Sequence, residues 1–384
     1  MITQSFDTLF TTENILKAHI KGRISKRQKR PIVRFEISLL ENIYELYDQI
    51  TSGKYKIEKY HSFTIFEPKQ REIQTLLYRD RIVQHVICDN MLAPYFSSRA
   101  ILDNTVCQID KGTHFALARF ENNLRKFIHT HGTNGYILKC DIHKYFPTIP
   151  HAQLKELVSK HIKDKRIRNF VCMIIDSYHT SPRFLEKYNV APLEPIKRHP
   201  FVRDMVTTGR GIPIGNQTSQ VFGMFYLDKI DRLIKEKLRV KIYSRYMDDF
   251  VLVHEDKNFL KKALAEIHKT LDTLGVRLND KTHIFPLKNG LTFLGFRYQV
   301  NENGKLIKKV SKKTVTRFKS RAKLLNRAYA EGLIDLQRVN CSLIAYHGHL
   351  KHANCYKLEQ NLKKRIKVAE IAQQLIAQQK TQKG

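Results

Sequence analysis

Residues 242–253 read Ile-Tyr-Ser-Arg-Tyr-Met-Asp-Asp-Phe-Val-Leu-Val. Aromatic and β-branched residues on both sides favour strands, so the Met-Asp-Asp step is expected to be the turn between them. The adjacent acids Asp248 and Asp249 then sit at the tip of an otherwise apolar hairpin. Neighbouring like charges repel one another. Divalent cations remove that cost, and a two-metal phosphoryl-transfer site needs such oxygen ligands. Asp is also favoured in ordinary solvated turns, so the pair alone leaves both readings open.

Two further elements narrow the choice. Asp141 ends the apolar run Tyr136-Ile-Leu-Lys-Cys-Asp141, which reads as a strand, with Pro147 and Pro150 punctuating the stretch after it. Alone, Asp141 would be a loop or N-cap acid; beside the hairpin, on one sheet, it would complete a composite metal site. The segment Gly211-Ile-Pro-Ile-Gly215-Asn216-Gln-Thr-Ser219-Gln220 is the second element. Glycine lets a backbone approach a ligand closely, and polar residues ahead of a helix N-terminus contact anions and bases.

The charge balance points the same way. Lys and Arg number 68 against 36 Asp and Glu, a net charge of +32, which implies a polyanionic partner. Nucleic acid fits best, because many phosphate contacts reward many basic residues. A membrane is the weaker rival: no apolar run of spanning length occurs, and the N-terminus lacks a signal-peptide pattern. The six cysteines include no Cys-x-x-Cys pair, which fits reduced thiols in a cytoplasmic protein and argues against zinc. His347, His349 and His352 could bind metal, but a basic helical nucleic-acid surface is the better setting.

Along the chain, residues 10–50 carry helical periodicity and the basic run Lys21–Arg30 reads as an exposed connection. A hairpin is expected over 61–73, its loop carrying Glu67-Pro68-Lys69-Gln70-Arg71. Helices are expected over Tyr78–Met91 (ending before Pro94), 113–131, 151–179, Asn216–Lys237 and 258–274. Strands are expected around 276–300. Residues 180–210 read as a loop insertion. From Lys305 to Arg327 there are ten Lys or Arg and no acid.

In combination these motifs resemble the reverse transcriptases. Tyr246-Met-Asp-Asp249 resembles their catalytic hairpin, Asp141 with Phe146 their first palm motif, and Gly215-Asn-Gln-Thr-Ser219-Gln220 their template- and nucleotide-contacting loop. Gly275-Val-Arg-Leu-Asn-Asp-Lys281-Thr resembles the following lysine motif, and Phe293-Leu294-Gly295-Phe296 the primer-grip hairpin. Lys69-Gln-Arg71-Glu-Ile73 and Arg79-Asp-Arg81-Ile-Val-Gln84-His85 resemble the fingers. The Ile-Pro-Ile-Gly-Asn-Gln-Thr-Ser-Gln wording, with Gln220 where most bacterial relatives have proline, resembles the enzymes of diversity-generating retroelements. Abortive-infection reverse transcriptases are the nearest alternative, and a catalytically inactive basic scaffold is the alternative outside enzymes.

The resemblance implies an α+β right-hand polymerase with fingers, an antiparallel-sheet palm and a helical thumb. The expected divisions are an N-terminal helical extension (1–60), fingers (61–135), palm (136–300), thumb (301–365) and tail (366–384). It implies two Mg²⁺ ions, with Mn²⁺ as a substitute, on Asp141, Asp248, Asp249 and the Ile142 carbonyl, and Lys281 as proton donor to pyrophosphate. Lys69, Arg71, Arg79, Phe146, Ile214, Gly215 and Gln220 would contact the nucleotide. Asn216, Ser219, Leu294, Gly295, Lys312, Lys313, Arg317, Lys319, Arg321 and His349 would contact nucleic acid. The implied partners are template RNA, an RNA or DNA primer, deoxynucleoside triphosphates and a small basic accessory protein. Ile214 stands where retroviral enzymes place a glutamine, which implies error-prone copying at template adenines.

Overall fold

The computed structural model describes residues 1–66, 69–198, 206–301 and 303–366. The chain divides into two compact units: Met1–Phe120 with Leu138–Ile284, and Glu121–Ile137 with Phe285–Gly384. It is a mixed helix and antiparallel-sheet fold, as the α+β expectation holds at that level.

Among the described residues the strands form three sheets. In the first unit, β1 (His61–Ile65) and β2 (Arg71–Thr75) make an antiparallel hairpin with Phe63 opposite Ile73. A four-stranded sheet has the order β4-β5-β3-β6. Its members are β3 (Tyr136–Asp141), β4 (Ile242–Tyr246), β5 (Asp249–His254) and β6 (His283–Pro286). Phe250, Val251, Leu252 and Val253 are all buried, as a strand covered on both faces requires. The helix Lys257–Thr273 starts at Asp256, whose side chain accepts from the Asn258 amide, and buries Leu260, Ala263, Ile267 and Leu271 on one stripe. The helix Thr113–His131 has the bounds its periodicity predicts.

Three local expectations are corrected. The helix over Tyr78–Met91 does not end before Pro94. It runs Tyr78–Ile87, widens into a π-turn at Cys88–Leu92, and resumes as Ala93–Arg99 with Pro94 in its first turn, where a missing amide N–H is harmless. The helix expected over Asn216–Lys237 breaks at Leu227 into Gln217–Tyr226 and Asp228–Arg232, followed by a π-turn at Leu233–Lys237. The break accompanies the burial of Asp231. The 180–210 segment is not wholly loop. Ser181 caps a helix, Pro182–Lys187, with Pro182 in the first turn and Leu185 fully buried. Residues 199–205 of that segment, Glu67-Pro68 of the hairpin loop and the tail beyond 366 lie outside the described residues.

The second unit carries the sheet β7-β8-β9 (Leu291–Phe293, Phe296–Val300 and Leu306–Val310). Phe293 pairs with Phe296, and both loop residues take positive φ, Leu294 at 47° and Gly295 at 86°; such a two-residue hairpin matches the right-handed twist of its strands. Thus the basic segment after Lys305 begins as strand β9 before the helix Lys312–Ala330. That helix, Leu336–Leu350 and Tyr356–Arg365 close over Ala322, Leu325, Val339, Leu343 and Ile366. No helix among the described residues is long and apolar enough to cross a membrane.

Candidate active site

β4 and β5 pair with Tyr246 opposite Asp249, leaving Met247 and Asp248 as a two-residue loop. Met247 takes φ +61°, a left-handed value that glycine adopts more readily. Holding a methionine there needs support, and Arg245 supplies it from within the sheet.

The Arg245 side chain is fully buried. Its Nη1 donates to the Met247 carbonyl at 2.9 Å and its Nη2 to the Met224 carbonyl at 2.9 Å. Nε donates to Asp231 Oδ1 at 2.7 Å, and Nη2 also meets Asp231 Oδ2 at 2.5 Å. Asp231 is equally buried and further accepts from the Tyr243 hydroxyl at 2.7 Å and from Asn104 Nδ2 at 3.4 Å. A planar guanidinium is suited to this forked arrangement. Met247 and Phe146 meet over Gly223, where an added Cβ would lie 3.1 Å from both Met247 Sδ and Phe146 Cζ. The Tyr145 hydroxyl donates to the Gly223 carbonyl at 2.7 Å. Gly223 therefore makes room for the ring expected under the sugar.

Asp141 ends β3, next to β5 in the sheet. Its carbonyl accepts from the Asn279 amide at 2.7 Å, and its Oδ2 lies 3.3 Å from Asn279 Nδ2. The buried Ile142 bridges Leu278. Burial and the nearby charge of Asp141 push the Asp248 carboxyl up to about 6, with Arg71 opposing the shift. Burial likewise raises Asp249 to about 6; Asp141 adds to this, and Lys139, 3.5 Å from Asp249 Oδ2, opposes it. Asp249 Oδ1 is buried without a hydrogen-bond partner. The structure thus brings Asp141, Asp248, Asp249 and Arg71 into one electrostatic neighbourhood.

Among the described residues, no group of three His, Cys, Asp or Glu side chains is arranged so that it could hold a metal ion. The donor set nevertheless suits a hard cation. All its side-chain atoms are carboxylate oxygens, one is left without a partner, and two of the three acids resist ionisation unless positive charge arrives.

The other candidates are distributed unevenly. Gly215 (φ +143°) sits so close to β2 that a Cβ would lie 2.3 Å from the Gln74 carbonyl oxygen, and the Ile214 carbonyl accepts from the Gln74 amide at 3.0 Å. Ile214 is half-buried and Gln220 exposed. Asn216 and Ser219 are buried, and Asn216 donates to the Tyr60 hydroxyl at 3.0 Å. Arg79 donates to Gln49 and lies 3.7 Å from Glu58, with its guanidinium over Tyr55. Lys69 and Lys281 are exposed. In the second unit, Leu294 and Gly295 form the β7–β8 turn. Lys312, Lys313 and Lys319 are exposed on their helix, Arg317 and Arg321 are half-buried, and His349 stacks on Phe296 at 4.9 Å. Sequence reasoning missed Arg245, Asp231, Gly223 and Lys139. The available signal was an arginine alone inside an apolar strand.

The sequence profile of the family described as reverse transcriptase (RNA-dependent DNA polymerase) matches residues 34–298, more than half of the chain and all of this site. The chain belongs to that family. Its similarity to individual proteins is distant. It is 22% identical over 290 residues to "Protein YkfC" of Escherichia coli (strain K12), covering 66% of this chain and 70% of that one. It is 24% identical over 223 residues to the "Putative COX1/OXI3 intron 2 protein" of Saccharomyces cerevisiae (strain ATCC 204508 / S288c), covering 43% of this chain and 24% of the yeast protein.

The raised carboxyls give a prediction for this reverse-transcriptase family member. Both acids ionise less readily in the fold than in an unfolded chain, so ion-free stability falls as pH rises from the ordinary carboxylate range through about 6. Mg²⁺ should therefore raise the melting temperature clearly at about pH 7.5 and little at about pH 5, where protons already neutralise the pair. Scanning calorimetry giving equal shifts at the two pH values would contradict the assignment.

Proposed function

We propose that this chain is an active RNA-directed DNA polymerase of right-hand form, copying template RNA into cDNA from a primer. The observation that supports the reading is that β3, ending at Asp141, lies beside β5, which begins at Asp249 after the braced Met247-Asp248 turn, in a member of the reverse-transcriptase family. Asp141, Asp248 and the Ile142 carbonyl would hold two Mg²⁺ ions, with Asp249 as ligand or orienting neighbour. Bound there, the ions supply positive charge that acidifies the primer 3′-hydroxyl and neutralises the triphosphate.

The chain's own residues do the positioning, which is most of what phosphoryl transfer asks of a protein. Arg71 neutralises phosphate charge beside Asp248. Phe146, packed on Gly223, leaves no room for a 2′-hydroxyl and so favours deoxynucleotides. Lys281 gives a proton to the departing pyrophosphate. The basic helix Lys312–Ala330 follows the template–primer duplex, which is recognised by shape and phosphate rather than base edges.

The finer reading is a polymerase of the diversity-generating retroelement type, adenine-mutagenic and served by a small basic accessory protein. It is supported by the Ile212–Gln220 wording and by an aliphatic Ile214, whose side chain offers no hydrogen bond to hold nucleotide geometry. Losing one such bond is worth about 1 kcal/mol, a several-fold change in discrimination.

Two substitutions test these levels separately. Asp248→Asn should reduce Mg²⁺-dependent primer extension on RNA to background while leaving RNA affinity within about twofold of wild type; sustained extension would refute the catalytic assignment. Ile214→Gln should lower misincorporation opposite template adenine several-fold in sequenced cDNA. An unchanged error spectrum would remove this residue as the cause.

A further inference from the structure

The short helix Pro182–Lys187 delivers a tyrosine to a group of cations of which the polymerase reading uses only Lys69. Tyr188 packs against Phe184 (ring centroids 4.7 Å apart) and edge-on to His143 (6.0 Å). Lys144 Nζ lies 3.9 Å from the centre of its ring and Lys187 Nζ 5.8 Å from it. Arg277 Nη2 donates to the Tyr188 carbonyl at 3.0 Å. Hydrogen bonding to Lys144, and the charges of Lys187 and Lys69, hold the Tyr188 hydroxyl below its usual range. Two ammonium groups thus face the Tyr188 ring, Arg277 holds its carbonyl and Lys69 acts on its hydroxyl, bringing four basic side chains from four stretches of chain to one residue.

Beside this group lies a cavity of about 280 Å³, with His143, Asn189, Arg210, Asp272 and Arg277 in its wall. Arg210 fixes that wall: it is buried, and donates to the carbonyls of Ala191 at 2.8 Å, Thr148 at 2.8 Å and Gly275 at 3.1 Å. The acids facing the region are Asp272 in the wall and Asp280 beside His143. They do not match the positive charge of Lys69, Lys144, Lys187, Arg210 and Arg277.

The position relative to the carboxylates matters as much as the charge. The His143 amide donates to the Arg277 carbonyl at 2.9 Å, two residues along from the Asp141–Asn279 bond. Two residues of extended chain span about 7 Å. Lys69 and Arg71, the latter the first residue of β2, link the same places, since Arg71 acts on Asp248 and Lys69 on Tyr188. Arg71, Lys69 and Arg277 therefore border the stretch between the carboxylates and Tyr188, with Asp280 the acid beside His143. The recognition chemistry here is phosphate rather than base: the Lys144 ammonium already covers the ring face on which a base would stack.

We propose that Lys144, Lys187, Tyr188 and Arg277 form a binding site for a condensed phosphate anion, contributed in part by the inserted segment. Its source is the pyrophosphate released by the reaction or the β,γ-phosphates of the incoming nucleotide. The chemical identity of that anion rests on the polymerase reading, but its binding can be measured without catalysis.

The test is calorimetric titration of the full chain in EDTA, with inorganic pyrophosphate and separately with dATP. Lys187→Glu with Arg277→Glu should weaken binding about tenfold or more, since charge-assisted contacts to phosphate are lost. Lys261→Glu with Lys262→Glu makes the same charge change on exposed positions of the helix Lys257–Thr273, about 16 Å along it from Asp272, and should have little effect. A loss that includes dATP assigns the site to the triphosphate tail, and a loss confined to pyrophosphate assigns it to the product. If thermal melting shows that the glutamate pair unfolds the chain, Lys187→Gln with Arg277→Gln replaces it. A loss no greater than in the Lys261/Lys262 control, or no pyrophosphate binding by the wild-type chain, overturns the proposal. Because EDTA abolishes polymerisation in every sample, neither result bears on whether the chain polymerises.

Discussion

A fully buried guanidinium holds the hairpin tip on which this site is built. Arg245 reaches from inside β4 to the carbonyl of Met247 and to both oxygens of Asp231. Removing one member of such a pair leaves an uncompensated charge in the core, at a cost of about 3–5 kcal/mol. The pair is therefore weak evidence for added stability but good evidence for geometry. It fixes a methionine at φ +61°, where strain of about 1–3 kcal/mol persists only if surroundings over-determine it. That conformation sets where Asp248 can point.

The same brace ties separate stretches of sequence together. Asp231 lies past the break at Leu227, Met224 belongs to the helix Gln217–Tyr226, and Tyr243 and Asn104 complete the acceptor's partners. Nearly two helical turns before Met247's contact at Gly223, that helix begins at the loop whose Gly215 abuts β2. Thus the glycine-rich loop, the hairpin tip and β2 share one support. Asp141 enters independently, as the end of β3, held by Asn279. The electrostatic result is two acids raised to about 6 despite Lys139 beside Asp249 and Arg71 acting on Asp248, an arrangement that resists full ionisation until further positive charge arrives.

Periodicity and turn chemistry account for the parts of the fold that were legible in the sequence. Tyr136–Asp141, the hairpin around Met247-Asp248 and the helix Thr113–His131 come directly from apolar patterning. Pro94 misled because a proline is a stop signal in a helix interior but compatible with a first turn, and no local pattern announces the π-turn that makes it one. The insertion misled because its proline and polar residues suggested loop, whereas Ser181-Pro182 is a helix start. At the site, the three acids were legible as residue types in strand-end and turn contexts. Their supports were not, because burial of Arg245 depends on Asp231, whose inward position depends on a helix break that sequence did not signal. Asn216 and Ser219 could be picked as polar residues at a helix start, but their orientation is a tertiary matter; Asn216 turns inward to Tyr60.

The most direct measurement is manganese binding by the Arg245→Lys chain, read by calorimetry beside the wild type at about pH 7.5. Lysine can still neutralise Asp231, so the chain should stay folded, but a single ammonium cannot also reach the Met224 and Met247 carbonyls as the fork does. Mn²⁺ affinity should weaken at least about tenfold, with a melting temperature lowered by only a few degrees. Wild-type Mn²⁺ affinity in that variant would mean that the buried pair does not position the acids, contradicting the role given to Arg245.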